Sequence, residues 1–281
     1  MTADVFGLQG LVLDGAFRVE DVIGEGGFAL VYRGHHIHFD IPIAIKCLKV
    51  PSHFTSEARS LFFERFRTEA RMLARLAEHP NIVRAYHFGV ASSARGDVPY
   101  LVLEWLSGED LEQFSERRRR ASAPMSEADA IALLRPAVSA IAMAHQMSIV
   151  HCDIKPANLF LARGQEGVRM EVLDFGIAKA MQEGELATQL ATKSSTGFRA
   201  FTPSYGAPEQ FFSKRFGSTG PWTDVHSLGL VLTELVSASP ALDGEDHAEL
   251  LQSSIAERRP TPRLRNATVT DAFEALVARA V

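Results

Sequence analysis

Cysteine is scarce. The 281-residue chain has two, Cys47 and Cys152, too few for a disulfide framework and suited to a reducing compartment. No apolar run approaches the 18 or so residues of a membrane span. The N-terminus, MTADVFGLQGLVLDG, lacks the basic start and apolar core of a signal peptide. There is no internal repeat and no long low-complexity tract. An excess of positive charge is also missing. Lys and Arg total 29 against 34 Asp and Glu, a formal charge of −5, which argues against a protein that coats nucleic acid. What the chain does have is 46% hydrophobic residues, including 18 Phe, enough for a sizeable core and against intrinsic disorder. The expectation is a cytoplasmic globular protein with no membrane span and no nucleic-acid partner.

The first hundred residues read mostly as short strands. Phe17–Ile23, Phe28–Gly34, Pro42–Val50 and Val98–Trp105 are β-branched or aromatic runs separated by Gly- or His-rich breaks. One helix interrupts them from Ser56 to Glu78, with Phe62, Phe66, Leu73 and Leu76 at helical spacing. After Gly108 the apolar period becomes 3.6. Ser126 with Asp129 three residues on resembles a capping box, and Ile131, Leu134, Val138 and Ile141 follow as a stripe. Pro136 lies inside it and is expected to kink the helix by removing a backbone donor. A hairpin follows, with Leu159–Leu161, a turn at Arg163–Gly167, and alternating Val168, Met170 and Val172. Beyond Gly176 comes a Ser/Thr-rich loop and then helices. The fold class expected is α+β, with a β-rich half of residues 1–103 and a larger, mainly helical half of 104–281.

Several segments carry chemistry. Gly24-Glu25-Gly26-Gly27-Phe28-Ala29 lets backbone N–H groups approach phosphate oxygens without a Cβ in the way. A strand rather than a helix follows it, so a flap over two strands fits better than a dinucleotide-binding fingerprint. Lys46, in Ile43-Ala44-Ile45-Lys46, shares a strand face with Ala44 and Leu48. Glu69 falls on the buried stripe of the helix, where an unpaired carboxylate is costly, so Lys46 is its natural partner. In His151-Cys152-Asp153-Ile154-Lys155-Pro156-Ala157-Asn158, Asp153 can accept a hydroxyl proton. Lys155 can neutralise developing charge, and Asn158 can offer an amide oxygen to Mg²⁺. Asp174, in Asp174-Phe175-Gly176 after the hairpin, adds a second hard oxygen ligand.

Taken in order, these motifs resemble the eukaryotic-type protein kinases, especially the bacterial Ser/Thr kinases. His79-Pro80-Asn81-Ile82-Val83, Ala207-Pro208-Glu209 and Asp224-Val225-His226-Ser227-Leu228-Gly229 extend the match across most of the chain. The resemblance implies a bilobal fold with a small antiparallel N-lobe containing one long helix, and a larger helical C-lobe. It implies ATP and Mg²⁺ as cofactors and a protein substrate with a Ser or Thr acceptor. Gly24, Gly26 and Gly27 would cover the phosphates, Lys46 would contact them, and Glu69 would orient Lys46. Val31 and Ala44 would lie over the adenine, Leu103 behind it, and the backbone of Glu104 and Leu106 along its edge. Asp153 would take the hydroxyl proton, with Asn158 and Asp174 holding Mg²⁺. Lys155 and Thr202 point to Ser/Thr specificity, and Asp224 would brace the catalytic loop.

The chain departs from the pattern in four places. Ala29 replaces the third glycine of the loop. Cys152 stands where an arginine commonly receives an activation-loop phosphate, so activity is expected without phosphorylation of Thr188, Thr192, Ser194, Ser195 or Thr196. Phe201 stands where glycine is frequent. The resemblance also implies one more helix after the one expected to stop at Val281, with an arginine to pair with Glu209; without it, Arg258, Arg259 or Arg263 is expected as the substitute. Two clusters read as ordinary structure. His35-His36-Ile37-His38 is read as a strand-to-strand turn lacking a spaced metal partner, and Arg117–Arg120 as a solvated face. The rival readings are a pseudokinase that holds nucleotide without transfer and, less well supported, a small-molecule phosphotransferase.

Overall fold

The computed structural model describes residues 3–27, 29–93, 96–165, 167–175, 201–256 and 258–281. The chain divides into two compact units, one comprising Met1–Glu78 with Val83–Leu106, the other His79–Ile82 with the chain from Ser107 onward through Val281 apart from 180–198. Gly176 and the five phosphorylation candidates lie outside the described residues.

In the first unit, alternating apolar residues build an antiparallel sheet. Its strands are β1 (Val12–Leu13), β2 (Phe17–Glu25), β3 (Ala29–His36), β4 (Ile41–Leu48), β5 (Ala85–Ser93) and β6 (Gly96–Glu104), in the order β1-β2-β3-β4-β6-β5. Tyr32, Ile43, Ile45, Cys47, Tyr100 and Val102 fill a core on one face, as the two-residue period of a strand requires. The N-terminal segment closes over that core with Phe6, Leu8 and Leu13. Two carboxylates tie it down: Asp4 accepts from the Tyr32 hydroxyl at 2.5 Å and Asp14 from that of Tyr100 at 2.6 Å. Helix α1 (Ser56–Leu76) starts where the Thr55 side chain accepts from the Ala58 N–H, and it buries Phe62, Phe66, Leu73 and Leu76 as expected.

In the second unit, α2 (Leu111–Arg120) is capped by Asp110 and α3 (Glu127–Gln146) by Ser126, whose side chain accepts from the Asp129 N–H. A three-stranded sheet of β7 (Gly108–Asp110), β8 (Leu159–Gly164) and β9 (Gly167–Val172) follows. Beyond it, helices span Pro221–Ser237, His247–Ile255 and Asp271–Ala280, with shorter turns between. The architecture is α+β, a small antiparallel unit with one long helix and a larger, mainly helical unit.

Several details differ from expectation. Helix α3 runs unbroken through Pro136, and its buried face is Ala130, Leu134, Ala137, Ala140, Ile141 and Ala144. The alanines allow close packing, so the apolar face is rotated and Val138 lies outside it, 46% exposed. By length and composition α3 could cross a bilayer, but this buried face makes it a core helix. His35 and His36 close β3 rather than lying in the turn, and the buried His36 ring packs against Phe17 and Phe39. The arginine run of α2 is a paired surface: Arg117 bonds Glu109, Arg119 bonds Glu116 and Glu234, and Arg120 bonds Glu116.

Candidate active site

The ladder registers of the first unit collect its candidate residues on one sheet face. Val31 stands opposite both Gly24 and Lys46, and Lys46 opposite Leu101. Ala44 stands opposite Leu103 in the next row. Directly opposed residues share a face, so Val31, Ala44, Lys46 and Leu103 lie on the side away from the Tyr32–Tyr100 core. Lys46 is buried, while Val31 and Ala44 are half-buried and leave apolar surface beside it. Glu69 lies on α1 between the buried Phe66 and Leu73 and is itself half-buried. At the end of β6 the Glu104 N–H donates to the Arg84 carbonyl at 2.9 Å. A backbone contact from Glu104 to a ligand therefore runs through its carbonyl. Leu106 follows, half-buried, in the connection beyond β6.

The glycines are informative because nothing among the described residues of the unit demands them. Among the described residues, a Cβ added to Gly24 or Gly27 meets no atom within 4 Å, and one on Gly26 meets the Ala29 carbonyl oxygen at 3.9 Å. None of the three has the positive φ that reserves a position for glycine. A sequence free of Cβ atoms where the fold would tolerate them suits a ligand whose anionic groups approach the backbone. Ala29 opens β3, paired with Leu48, in extended backbone where a Cβ is accommodated. Lys49 reaches back from beyond β4, donating to Glu25 at 2.7 Å and to the Gly26 carbonyl at 2.9 Å.

In the second unit the loop around Asp153 is held from several sides. Asp224, fully buried on the Pro221–Ser237 helix, accepts from the backbone N–H groups of His151 and Cys152, each at 2.8 Å. The His145 ring is 2.8 Å from the same carboxylate. The His151 ring donates from Nε2 to the Leu173 carbonyl at 2.8 Å and accepts at Nδ1 from the Asp153 N–H at 3.3 Å, which sets its tautomer. Asp153 Oδ1 accepts from the N–H and the hydroxyl of Thr202 at 2.9 and 3.0 Å. Lys155 lies 3.0 Å from Asp153 Oδ2 and donates to the Thr202 hydroxyl at 2.7 Å.

Asn158 points its amide nitrogen at Asp153, donating to the carbonyl at 2.8 Å and to Oδ2 at 3.2 Å. That orientation leaves the amide oxygen as the group for a cation. The Asn158 carbonyl accepts from the Leu173 N–H at 2.9 Å, which ties this turn to the strand end just before Asp174. Asp174 itself is left-handed, φ 59°, a conformation Asp tolerates better than most residues. An amide oxygen and a carboxylate form a hard donor set that suits Mg²⁺.

The segment after the undescribed stretch completes this region. Phe201 packs on Phe211 with ring centroids 5.1 Å apart. The accommodation is made at Gly206, where a Cβ would sit 2.5 Å from the Phe201 ring. Glu209 is buried and accepts from the Thr223 hydroxyl at 2.6 Å. Tyr205 donates to Glu234 at 2.6 Å, and burial followed by that carboxylate pushes the phenol well above its ordinary range. Sequence reasoning passed over Gln210, whose side chain reaches the Cys152 carbonyl. Its place three residues into the Ala207-Pro208-Glu209 turn was the available signal.

Comparison with known proteins points the same way. The protein kinase domain family matches residues 17–277. The serine/threonine-protein kinase PrkC of Bacillus subtilis is 33% identical over 273 residues, 97% of this chain and 38% of that protein. The corresponding figures are 30% over 270 residues, 96% and 40%, for serine/threonine-protein kinase PknB of Mycobacterium leprae. For serine/threonine-protein kinase pkn2 of Myxococcus xanthus they are 33% over 267 residues, 95% and 30%. The chain thus spans about two-fifths or less of the length of these relatives.

Proposed function

The chain belongs to the protein kinase family, and from that premise we propose that it transfers the γ-phosphoryl group of Mg-ATP to Ser or Thr hydroxyls of proteins. The observation that carries the reading is the arrangement around Asp153, a carboxylate held by Thr202, Lys155 and Asn158. Residues 1–103 and 104–281 act as the two lobes of one kinase domain. We place the domain in the cytoplasm, in keeping with two buried, unbridged cysteines.

In this reading the glycine segment receives the phosphates through backbone N–H groups, and Lys46, oriented by Glu69, neutralises them. Val31, Ala44 and Leu103 accept the adenine ring, and Glu104 and Leu106 offer backbone groups to its edge. Asn158 and Asp174 hold Mg²⁺, which when bound neutralises charge on the transferring group. Asp153 accepts the proton of the attacking hydroxyl, and Lys155 offsets the charge that develops. The phosphoryl transition state is loose, so positioning and electrostatics supply most of the gain. Retention of Lys46, Asp153, Asn158 and Asp174 together favours an active enzyme over a nucleotide-binding scaffold. Thr202-Pro203 and Ala207-Pro208-Glu209 favour a peptide acceptor over a small metabolite.

The test is incubation with Mg²⁺ and γ-labelled ATP beside Asp153→Asn and Asp174→Ala. Label on Ser or Thr of the protein itself or of a generic basic protein, lost in both variants, supports the proposal. Thermal stabilisation by nucleotide with no label transferred would identify the scaffold. Label on a small metabolite alone would identify the third reading.

A further inference from the structure

Cys152 precedes the proposed base and has φ 63°, left-handed backbone that a non-glycine residue adopts only when its surroundings hold it there. Two side chains from separate elements do so. Asp224 accepts from the Cys152 N–H at 2.8 Å, and Gln210 Nε2 donates to the Cys152 carbonyl at 2.7 Å. The other end of the same amide faces the opposite way: Gln210 Oε1 accepts from the Ala207 N–H at 3.0 Å. One side chain therefore joins the Pro208–Phe211 turn to the peptide unit linking Cys152 to Asp153.

We propose that Gln210 is a positioning residue for the base, fixing the Cys152–Asp153 peptide plane from the segment that would receive the acceptor peptide. The inference rests on the kinase reading for its catalytic consequence, while the contact itself does not depend on that reading. Asp224 holds only the N-terminal side of Cys152. Gln210 holds the carbonyl side, from which the Asp153 backbone departs, so loss of its donor leaves that peptide to the longer 3.3 Å bond from the Asp153 N–H to His151 Nδ1 and loosens the aim of Asp153. Thr202 bonds the Asp153 side chain from the same stretch of chain. The acceptor-side segment thus touches the base residue at its carboxylate and at the peptide before it.

The alternative role for Gln210, capping the short turn through Ala207, is separable by substitution. Gln210→Glu keeps an acceptor for the Ala207 N–H and removes the donor to Cys152. Gln210→Lys keeps a donor and removes the acceptor. Steady-state transfer to a Ser-containing peptide is measured on the full chain and both variants. Alkylation of the two thiols is followed in parallel by mass spectrometry. Cys47, fully buried in the first unit, is the internal reference.

Gln210→Glu is expected to lower kcat about ten- to hundredfold, the range for a misplaced catalytic group, with KM for ATP unchanged. Cys152 alkylation should rise about three- to tenfold, the equivalent of one net hydrogen bond, with Cys47 unmoved. Gln210→Lys should stay near the parent in both readouts. Unchanged kcat or unchanged Cys152 alkylation in Gln210→Glu would overturn the proposal, as would an equal loss in Gln210→Lys. If Gln210→Glu does not fold, Gln210→Met, which removes the donor at similar length, takes its place: a loss of kcat with faster Cys152 alkylation beside a near-parent Gln210→Lys is the expected result, and parent behaviour in Gln210→Met overturns the proposal. If the parent transfers no phosphate while Cys152 alkylation follows the expected order, the kinase reading fails and the positioning contact stands.

Discussion

The glycine segment of the first unit and the catalytic loop of the second solve opposite problems. Among the described residues, Gly24, Gly26 and Gly27 have room where Cβ atoms would go, so their neighbours there give no reason for them. The loop from His151 to Asn158 is the reverse: backbone N–H groups, a ring, a carbonyl and a carboxylate each have a partner inside the unit. Preorganised polar groups need no rearrangement at the moment of reaction. A segment that covers phosphates, as proposed for these glycines, must instead leave room for its ligand. The residues of one region are explained by their neighbours, and those of the other, under that proposal, by the molecule they would meet.

Four substitutions sharpen or break that contrast. The largest effect is expected of Asp153→Asn, which should reduce phosphoryl transfer about 10²- to 10⁴-fold, the range for loss of a general base. Nucleotide affinity measured by calorimetry should not change. Asp224→Ala should next destabilise the protein by about 2–5 kcal/mol, because two buried N–H groups lose their acceptor. Urea unfolding followed by circular dichroism checks this, and a change under 1 kcal/mol would mean that the loop holds itself without Asp224.

His226 offers a pH test of the same scaffold. Burial, with a smaller effect from Arg259, lowers its pKa to about 4. The unfolded chain takes up this proton near pH 6.5 and the folded one does not until about 4. The neutral, buried ring therefore contributes full stability above pH 6.5. That contribution is lost as the pH falls toward 4, by up to about 1.4 kcal/mol per pH unit. His226→Gln should flatten that part of the stability–pH curve. The smallest effect is expected of Gly26→Ala. Removing backbone freedom from the unfolded chain should leave stability equal or raise it by about 0.4–1 kcal/mol, while KM for ATP increases. A loss of stability would mean that the glycine serves the fold.

Much of this was legible in the sequence because the residues involved are constrained locally. Lys46 sits in an apolar strand, Thr55 and Ser126 stand before apolar helical periods, and Asp153 and Asn158 share one short turn. What escaped depends on distant partners. Strand β5 contains Gly89, His87 and four serine or alanine positions, hardly a strand signal. Its Gly89 lies against the Tyr100 ring, with a Cβ position 2.7 Å from the Tyr100 hydroxyl oxygen. The N-terminal segment shows in sequence only that it lacks signal-peptide features, yet Asp4 and Asp14 fasten it to tyrosines 28 and 86 residues away. Gln210 is invisible without Cys152, 58 residues earlier in the chain. Val138 was placed on the buried stripe because it is apolar, whereas the alanines beside it pack more closely.

Hydrogen exchange, with and without Mg-ATP, tests the contrast most directly. The His151 and Cys152 amides should already be protected in the free protein and change little on binding, while the Gly27 amide gains protection; the Gly26 amide already donates to the Ala29 carbonyl at 2.8 Å and should change less. Fast exchange at His151 and Cys152 that slows only with nucleotide, or a Gly27 amide indifferent to it, would contradict the contrast.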